Sequence, residues 1–218
     1  MSQIRKQSII SSVLVYIGFA IGFLNTYLFT REGGFTQAQY GLTGIFIAIA
    51  NIMYAVANLG MGSYINKFYP YYDDNLPKKK NDLLTWALLF SLIGFCLIVI
   101  AGFVFKDLVV RKYGTHSPDF VKYYFYIFPF GLGLTLFSIL EVYAWQLKKA
   151  VLSTFLREIQ FRLLTTILIL LSFAGIIASF DLFIKLYSFT FLAVAIILLC
   201  NLFYTHHISF TFSVSIVS

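Results

Sequence analysis

Apolar residues run through this chain in long blocks, broken by short clusters of Lys, Arg, Asp, Asn and Gly. A helix needs about 20 mostly apolar residues to cross the hydrocarbon of a bilayer. Six windows reach that length: Ser8 to Thr30, Gly41 to Ile65, Leu83 to Phe105, Tyr123 to Ala144, residues 150–179, and Leu182 to Tyr204. Inside lipid every backbone N–H and C=O must find a partner within its own segment, so each window predicts a helix. A membrane barrel would show alternating segments of about ten residues, which residues 1–204 lack. The pattern predicts an all-α integral membrane protein, with six transmembrane helices forming one lobe over residues 1–204.

The tail breaks this pattern. "ISFTFSVSIVS" (Ile208 to Ser218) alternates apolar and polar residues with period two and carries no charge, as a strand would. Residues 205–218 read either as the end of a truncated reading frame or as a short edge segment.

Composition agrees with the pattern. Hydrophobic residues make up 60% of the 218 and charged residues 11%, against about 25% charged in soluble domains. The net charge of +7 does not point to nucleic acid, because the basic residues fall between apolar runs and form no soluble patch. Cys96 and Cys200 lie within apolar runs without metal or redox spacing, and read as small core residues. Arg5 and Lys6 precede an apolar stretch too long for a cleaved signal, so the first helix reads as a signal anchor.

Basic flanks set orientation. With the N-terminus cytoplasmic, Arg5, Lys6, Lys67, Lys78, Lys79, Lys80, Lys148, Lys149, Arg157 and Arg162 lie inside. Arg31, Lys106, Arg111, Lys112, Lys122 and Lys185 then lie outside, so ten against six favours that topology. Lys78 to Lys80 are placed to meet anionic headgroups of membrane lipids.

The fifth window carries the most chemistry. "FLREIQFRLLTT" (Phe155 to Thr166) sets Arg157, Glu158 and Arg162 at the front of an apolar run. Taking Asp181 as the outer boundary and counting back about 20 residues puts the inner boundary near Phe161. Arg162 then snorkels from one turn inside, and Arg157 and Glu158 extend into the cytoplasm. A short turn at Gln146 to Lys149 makes helices four and five an antiparallel hairpin. Glu141 and Arg157 fall eight residues either side of Lys149, so the two should pair. Thr154, Glu158, Arg162 and Thr165 or Thr166 form one polar stripe. Two readings stay open: a basic cavity mouth that attracts an anionic headgroup, or a structural ion-pair cluster at the inner interface.

Helix two carries Asn51, Tyr54 and Asn58 on one face, and helix one carries Asn25. These residues suit either a sugar-accommodating cavity or interhelical hydrogen bonds. Gly18 and Gly22 form a GxxxG that permits close helix packing. "KFYPYYDD" (Lys67 to Asp74) reads as an aromatic belt ending helix two. His116, His206 and His207 lie outside the windows, and no nucleotide loop, serine elbow or HExxH is present. No enzymatic activity, metal or cofactor is expected.

Three segments in order resemble one family: "GGFTQAQYGLTG" (Gly33 to Gly44), "GSYINKFYPYYDD" after helix two, and "EVYAWQLKKAVLSTFLREIQFRLLTT" across helices four and five. The chain resembles the N-terminal half of the Wzx-type bacterial oligosaccharide flippases, relatives of the MATE exporters in the MOP superfamily. The resemblance implies a protein of roughly twice this length that flips an undecaprenyl-diphosphate-linked oligosaccharide across the inner membrane by alternating access. Binding sites in repeat-built transporters form at the repeat interface, so a second six-helix half is implied as partner. By the same resemblance Arg157 and Arg162 hold the pyrophosphate, and Glu141 and Glu158 orient them. Half of a cation-coupled drug exporter, or a membrane scaffold without transport, are the competing expectations.

Overall fold

The computed structural model describes residues 3–31, 34–77, 80–114, 117–205 and 210–212. Among the described residues the chain is helical and contains no strand. Five helical stretches are long and apolar enough to cross a membrane: Arg5–Thr30, Gln37–Ala57, Leu83–Val104, Tyr124–Gln146 and Phe180–Tyr204. An all-helical membrane protein is the architecture these stretches give.

Helix α1 (Gln3–Thr30) leads to α2 (Gln37–Ala57). Thr36 starts α2 with a capping box: its hydroxyl accepts from the Gln39 N–H while the Gln39 side chain accepts from the Thr36 N–H. The second window runs to Ile65 by hydropathy, but the helix stops at Ala57. Leu59 and Gly60 take φ of 45° and 80°, a left-handed turn that glycine permits cheaply. The Asn58 side chain then accepts from the Gly62 N–H at 2.9 Å and opens α3 (Met61–Asn75). Pro70 lies inside α3, so the aromatic stretch forms the last turns of α3 and not the end of α2.

Helices α4 (Leu83–Val104), α5 (Lys106–Tyr113) and α6 (Pro118–Lys122) precede a 3-10 turn and the central helix α7 (Ile127–Gln146). Fifteen of α7's residues are buried, Glu141 among them, and it packs against α2, α3 and α4 as well as the last helix. After the turn at Leu147–Lys149 comes one continuous helix made of α8 (Ala150–Phe155), a π-turn (Leu156–Gln160) and α9 (Phe161–Phe173). It is absent from the five stretches above because Arg157, Glu158 and Arg162 lie within it.

That helix corrects the expected boundary at Ser179. It ends at Phe173, and Gly175 turns the chain with φ of 74°. The Gly175 and Ile176 N–H groups bond back to Ser172 and Leu171 carbonyls, and the Ser172 hydroxyl donates to the Ile177 carbonyl. Helix α10 (Phe180–Ser188) and helix α11 (Thr190–Tyr204) follow, with a one-residue break at Phe189.

The core is largely aromatic. Phe130, Phe161, Tyr187 and Phe191 form a block in which Phe161 and Phe191 stack at 4.2 Å between centroids. Cys96 and Cys200 are exposed, contrary to the core reading. They share the exposed sides of α4 and α11, which are as apolar as a core and read identically in sequence. The tail expectation, the three histidines, and Lys78 and Lys79 fall outside the described residues, apart from 210–212, which form no strand.

Candidate functional site

Close approach of α1 to the 150–173 helix builds the site. A Cβ added at Gly18 would lie 2.8 Å from the Glu158 carbonyl oxygen, and one at Gly22 would collide with the Arg162 guanidinium. The GxxxG therefore seats α1 directly on the charged segment. One turn on, the buried Asn25 donates to the Arg162 carbonyl at 2.9 Å and accepts from the Thr166 hydroxyl at 2.6 Å. Those bonds fix the register of the two helices.

The charges are paired. Arg157 Nη1 lies 2.9 Å from Glu141 Oε2, as expected from their equal distance to the turn. Arg162 Nη2 lies 3.0 Å from Glu158 Oε2, one helical turn away. Each guanidinium also faces a ring, Arg157 against Phe137 at 5.6 Å and Arg162 against Phe19 at 5.7 Å. A guanidinium carries five N–H donors, so one carboxylate oxygen leaves donors free to turn toward another acceptor. The π-turn lies across these residues, a local widening of the ladder that recurs at functional sites.

A cavity of about 440 Å³ opens beside this cluster. Its floor is Arg157, Glu158, Arg162 and Thr165, and its walls include Asn25 and Thr26 of α1 and Tyr40, Thr43 and Asn51 of α2. Helix α1 leans on α8 and α9, whereas α2 leans on α4 and α7, so a cleft separates them. At the end nearest residues 30 and 37 the cleft is closed: the Thr26 and Tyr40 hydroxyls meet at 3.1 Å, and Phe29 packs on Tyr40 and Phe35.

Of the expected residues, Asn25, Asn51, Arg157, Glu158 and Arg162 line this cavity. Glu141 stands behind Arg157, 3% exposed. Tyr54 lies within electrostatic reach of Arg157 and Glu141 but is not one of the residues that line the cavity. Asn58 is not brought to the site, because its side chain is spent on the start of α3. Tyr40, Thr43 and Thr26 were not legible as site residues. The signal for two of them was the stripe through Asn51, which continues backward at helical spacing through Ile47 to Thr43 and Tyr40. Asp82 was also missed: it is fully buried, with Oδ2 accepting from the Trp86 indole at 3.1 Å.

Position along the helix is the largest correction. Arg162 follows Ala150 by twelve residues and precedes Phe173 by eleven, which puts it about 18 Å and 16 Å from the two helix ends. Its neighbour Gly22 lies eight residues inside the end of α1, one of the five apolar stretches. Arg162 is thus at mid-helix, where the count from Asp181 had set it one turn from the surface. Residues 174–179 form a turn and contribute no rise, and that is why the count failed. Arg157, Glu158 and Arg162 all line the cavity between α1 and α2.

No family model matches the chain, and neither a curated protein nor a solved structure matches it.

Proposed function

We propose that the chain is one lobe of a transporter that moves a lipid-linked anionic substrate across the membrane, an undecaprenyl-diphosphate-linked oligosaccharide in the reading its motifs favour. The observation that carries this is the cleft between α1 and α2, with two arginines on its floor and one end closed by Thr26 and Tyr40. On this reading the 150–173 helix is the sixth crossing. The N-terminus is cytoplasmic, the membrane is the bacterial inner membrane, and the open end of the cleft faces the cytoplasm.

Chemistry follows from the lining. A diphosphate is bound by the unused N–H groups of Arg157 and Arg162, since guanidinium forks match phosphate oxygens. Asn51 offers its amide oxygen to a sugar, while Asn25 stays committed to the Arg162 carbonyl and the Thr166 hydroxyl. The isoprenoid tail stays in lipid and leaves through the gap between α1 and α2, past Phe19 and Phe23, which are 60% and 79% exposed. A cavity of about 440 Å³ holds a headgroup and not an oligosaccharide, so a second six-helix half, or a second copy, completes the path.

One observation favours a second reading, a static ion-pair cluster without transport: the four charges sum to zero and each arginine already has a carboxylate. A neutral variant separates the two. Replacing Arg157, Arg162, Glu141 and Glu158 together by Gln removes both pairs and leaves no buried charge unpartnered, which is what makes loss of one partner costly. Binding of undecaprenyl diphosphate to the chain in nanodiscs is expected to weaken at least about tenfold, as loss of charge-assisted hydrogen bonds requires. Undiminished binding by a folded quadruple variant overturns the proposal in favour of the structural cluster.

A further inference from the structure

A second cavity, which shares no lining residue with the charged cleft, lies between α2, α4, α5, α6 and α7. Its volume is about 570 Å³ and it is lined by Ile45, Ile49, Ile98, Phe105, Val109 and Phe128, among others. Its interior asks for no polar partner, because the Tyr124 hydroxyl already donates to the Gly102 carbonyl at 2.9 Å. Apolar cavities of this kind stay dry and take up apolar guests. Ala101 and Phe105 line it and are exposed, so it opens on the outer surface of α4, a membrane-crossing helix.

The rim has a different character. Helix α5 has no buried residue, exposes Leu108 and Val110, and carries Lys106, Arg111 and Lys112. That is the pattern of a helix lying in the headgroup plane. Between residues 106 and 122 the described charges are Lys106, Arg111, Lys112 and Lys122 against Asp107 and Asp119, an excess of two positive charges. Three of these cations are held above rings, Lys106 Nζ at 4.9 Å from the Phe125 centroid, Lys112 Nζ at 5.6 Å from that of Tyr113 and Lys122 Nζ at 4.8 Å from that of Tyr123. Tyr113 itself lines the cavity.

We infer that this cavity is a binding site for one acyl chain of an anionic phospholipid, whose headgroup meets Lys106 and Lys112. An apolar pocket open to lipid accounts for the tail, and the cationic rim at headgroup level accounts for the charge. The site is independent of the α1–α2 cleft and does not rest on the transport reading.

Native mass spectrometry of the purified chain, exposed to equimolar phosphatidylglycerol and phosphatidylcholine, tests it. The native chain is expected to retain one phosphatidylglycerol with about tenfold preference, in line with the attraction of surface lysines for anionic lipid. Ala101→Trp, which places an indole in the pocket from an exposed position, is expected to abolish retention of either lipid. Lys106→Ala with Lys112→Ala is expected to leave retention intact and erase the preference. Equal retention of both lipids by the native chain overturns the inference, as does full retention by Ala101→Trp. Should Ala101→Trp fail to fold, the lysine pair decides alone, and an unchanged preference there overturns it.

Discussion

Arg157 and Glu141 face each other across the α7–α8 turn at 2.9 Å, with the arginine side chain 38% exposed and the glutamate 4%. The asymmetry means that the two halves of the pair are not equivalent. Arg157→Gln strands a carboxylate inside the bundle, and breaking such a pair costs about 3–5 kcal/mol. Glu141→Gln strands an arginine that already reaches the cavity, and is expected to cost less. Thermal unfolding in detergent of both single variants and the double variant gives the order. A double variant less stable than Arg157→Gln alone contradicts the pairing.

Gly18 and Gly22 both face the charged helix, but they meet different atoms. Gly18 faces a backbone carbonyl, which cannot move aside, whereas Gly22 faces the end of a flexible arginine. Gly18→Ala is expected to part the helices and cost about 1–3 kcal/mol, the usual range for overpacking. Gly22→Ala is expected to be milder in stability and to push the Arg162 guanidinium away from Glu158. The two melting temperatures, measured side by side, check this. Equal losses would mean that α1 does not sit on this segment.

The Thr26 and Tyr40 hydroxyls form the polar part of the closed end of the cleft. Tyr40→Phe removes that bond and keeps the ring on Phe29. Net hydrogen bonds contribute about 1 kcal/mol, so opening should become roughly fivefold more frequent. A cysteine at Thr43, in a background with Cys96 and Cys200 replaced by Ala, reports it. Its labelling by a membrane-impermeant maleimide, added from the side opposite the N-terminus, is expected to speed up by that factor. An unchanged rate would show that the aromatic packing alone holds the end shut.

How far the sequence could be read depended on what each boundary was made of. Hydropathy located the apolar helices because bilayer length imposes a long, countable run. The Glu141–Arg157 pair was legible because the turn between α7 and α8 is tight and both helices rise evenly from it. The break after Ala57 was signalled by Asn58, Gly60 and Gly62, yet the apolar run continues through it and hydropathy reads past. The Thr26–Tyr40 contact joins residues on two helices and has no signature along the chain. Residues 174–179 misled most. "AGIIAS" is apolar enough to pass for membrane helix, and only Gly175 marks the turn.

The end of the 150–173 helix therefore decides the depth of Arg162, and it is open to direct measurement. Ile176 is 69% exposed in the turn, and Ile167, one turn beyond Arg162, is 50% exposed on the outer face of the helix. If the helix ends at Phe173, Ile176→Cys sits in water or headgroups and labels readily with an impermeant maleimide from the side opposite the N-terminus. Ile167→Cys then sits in hydrocarbon and stays silent from both sides, because the thiolate that reacts does not form there. If instead the helix ran on to Asp181, position 176 would be enclosed by lipid and position 167 would lie nearer the opposite surface. Silence at 176 would return Arg162 to the membrane edge, where snorkelling suffices to explain it. The expected result, labelling at 176 alone, keeps Arg162 at mid-membrane, where a charge persists only if the bundle partners it or gives it work.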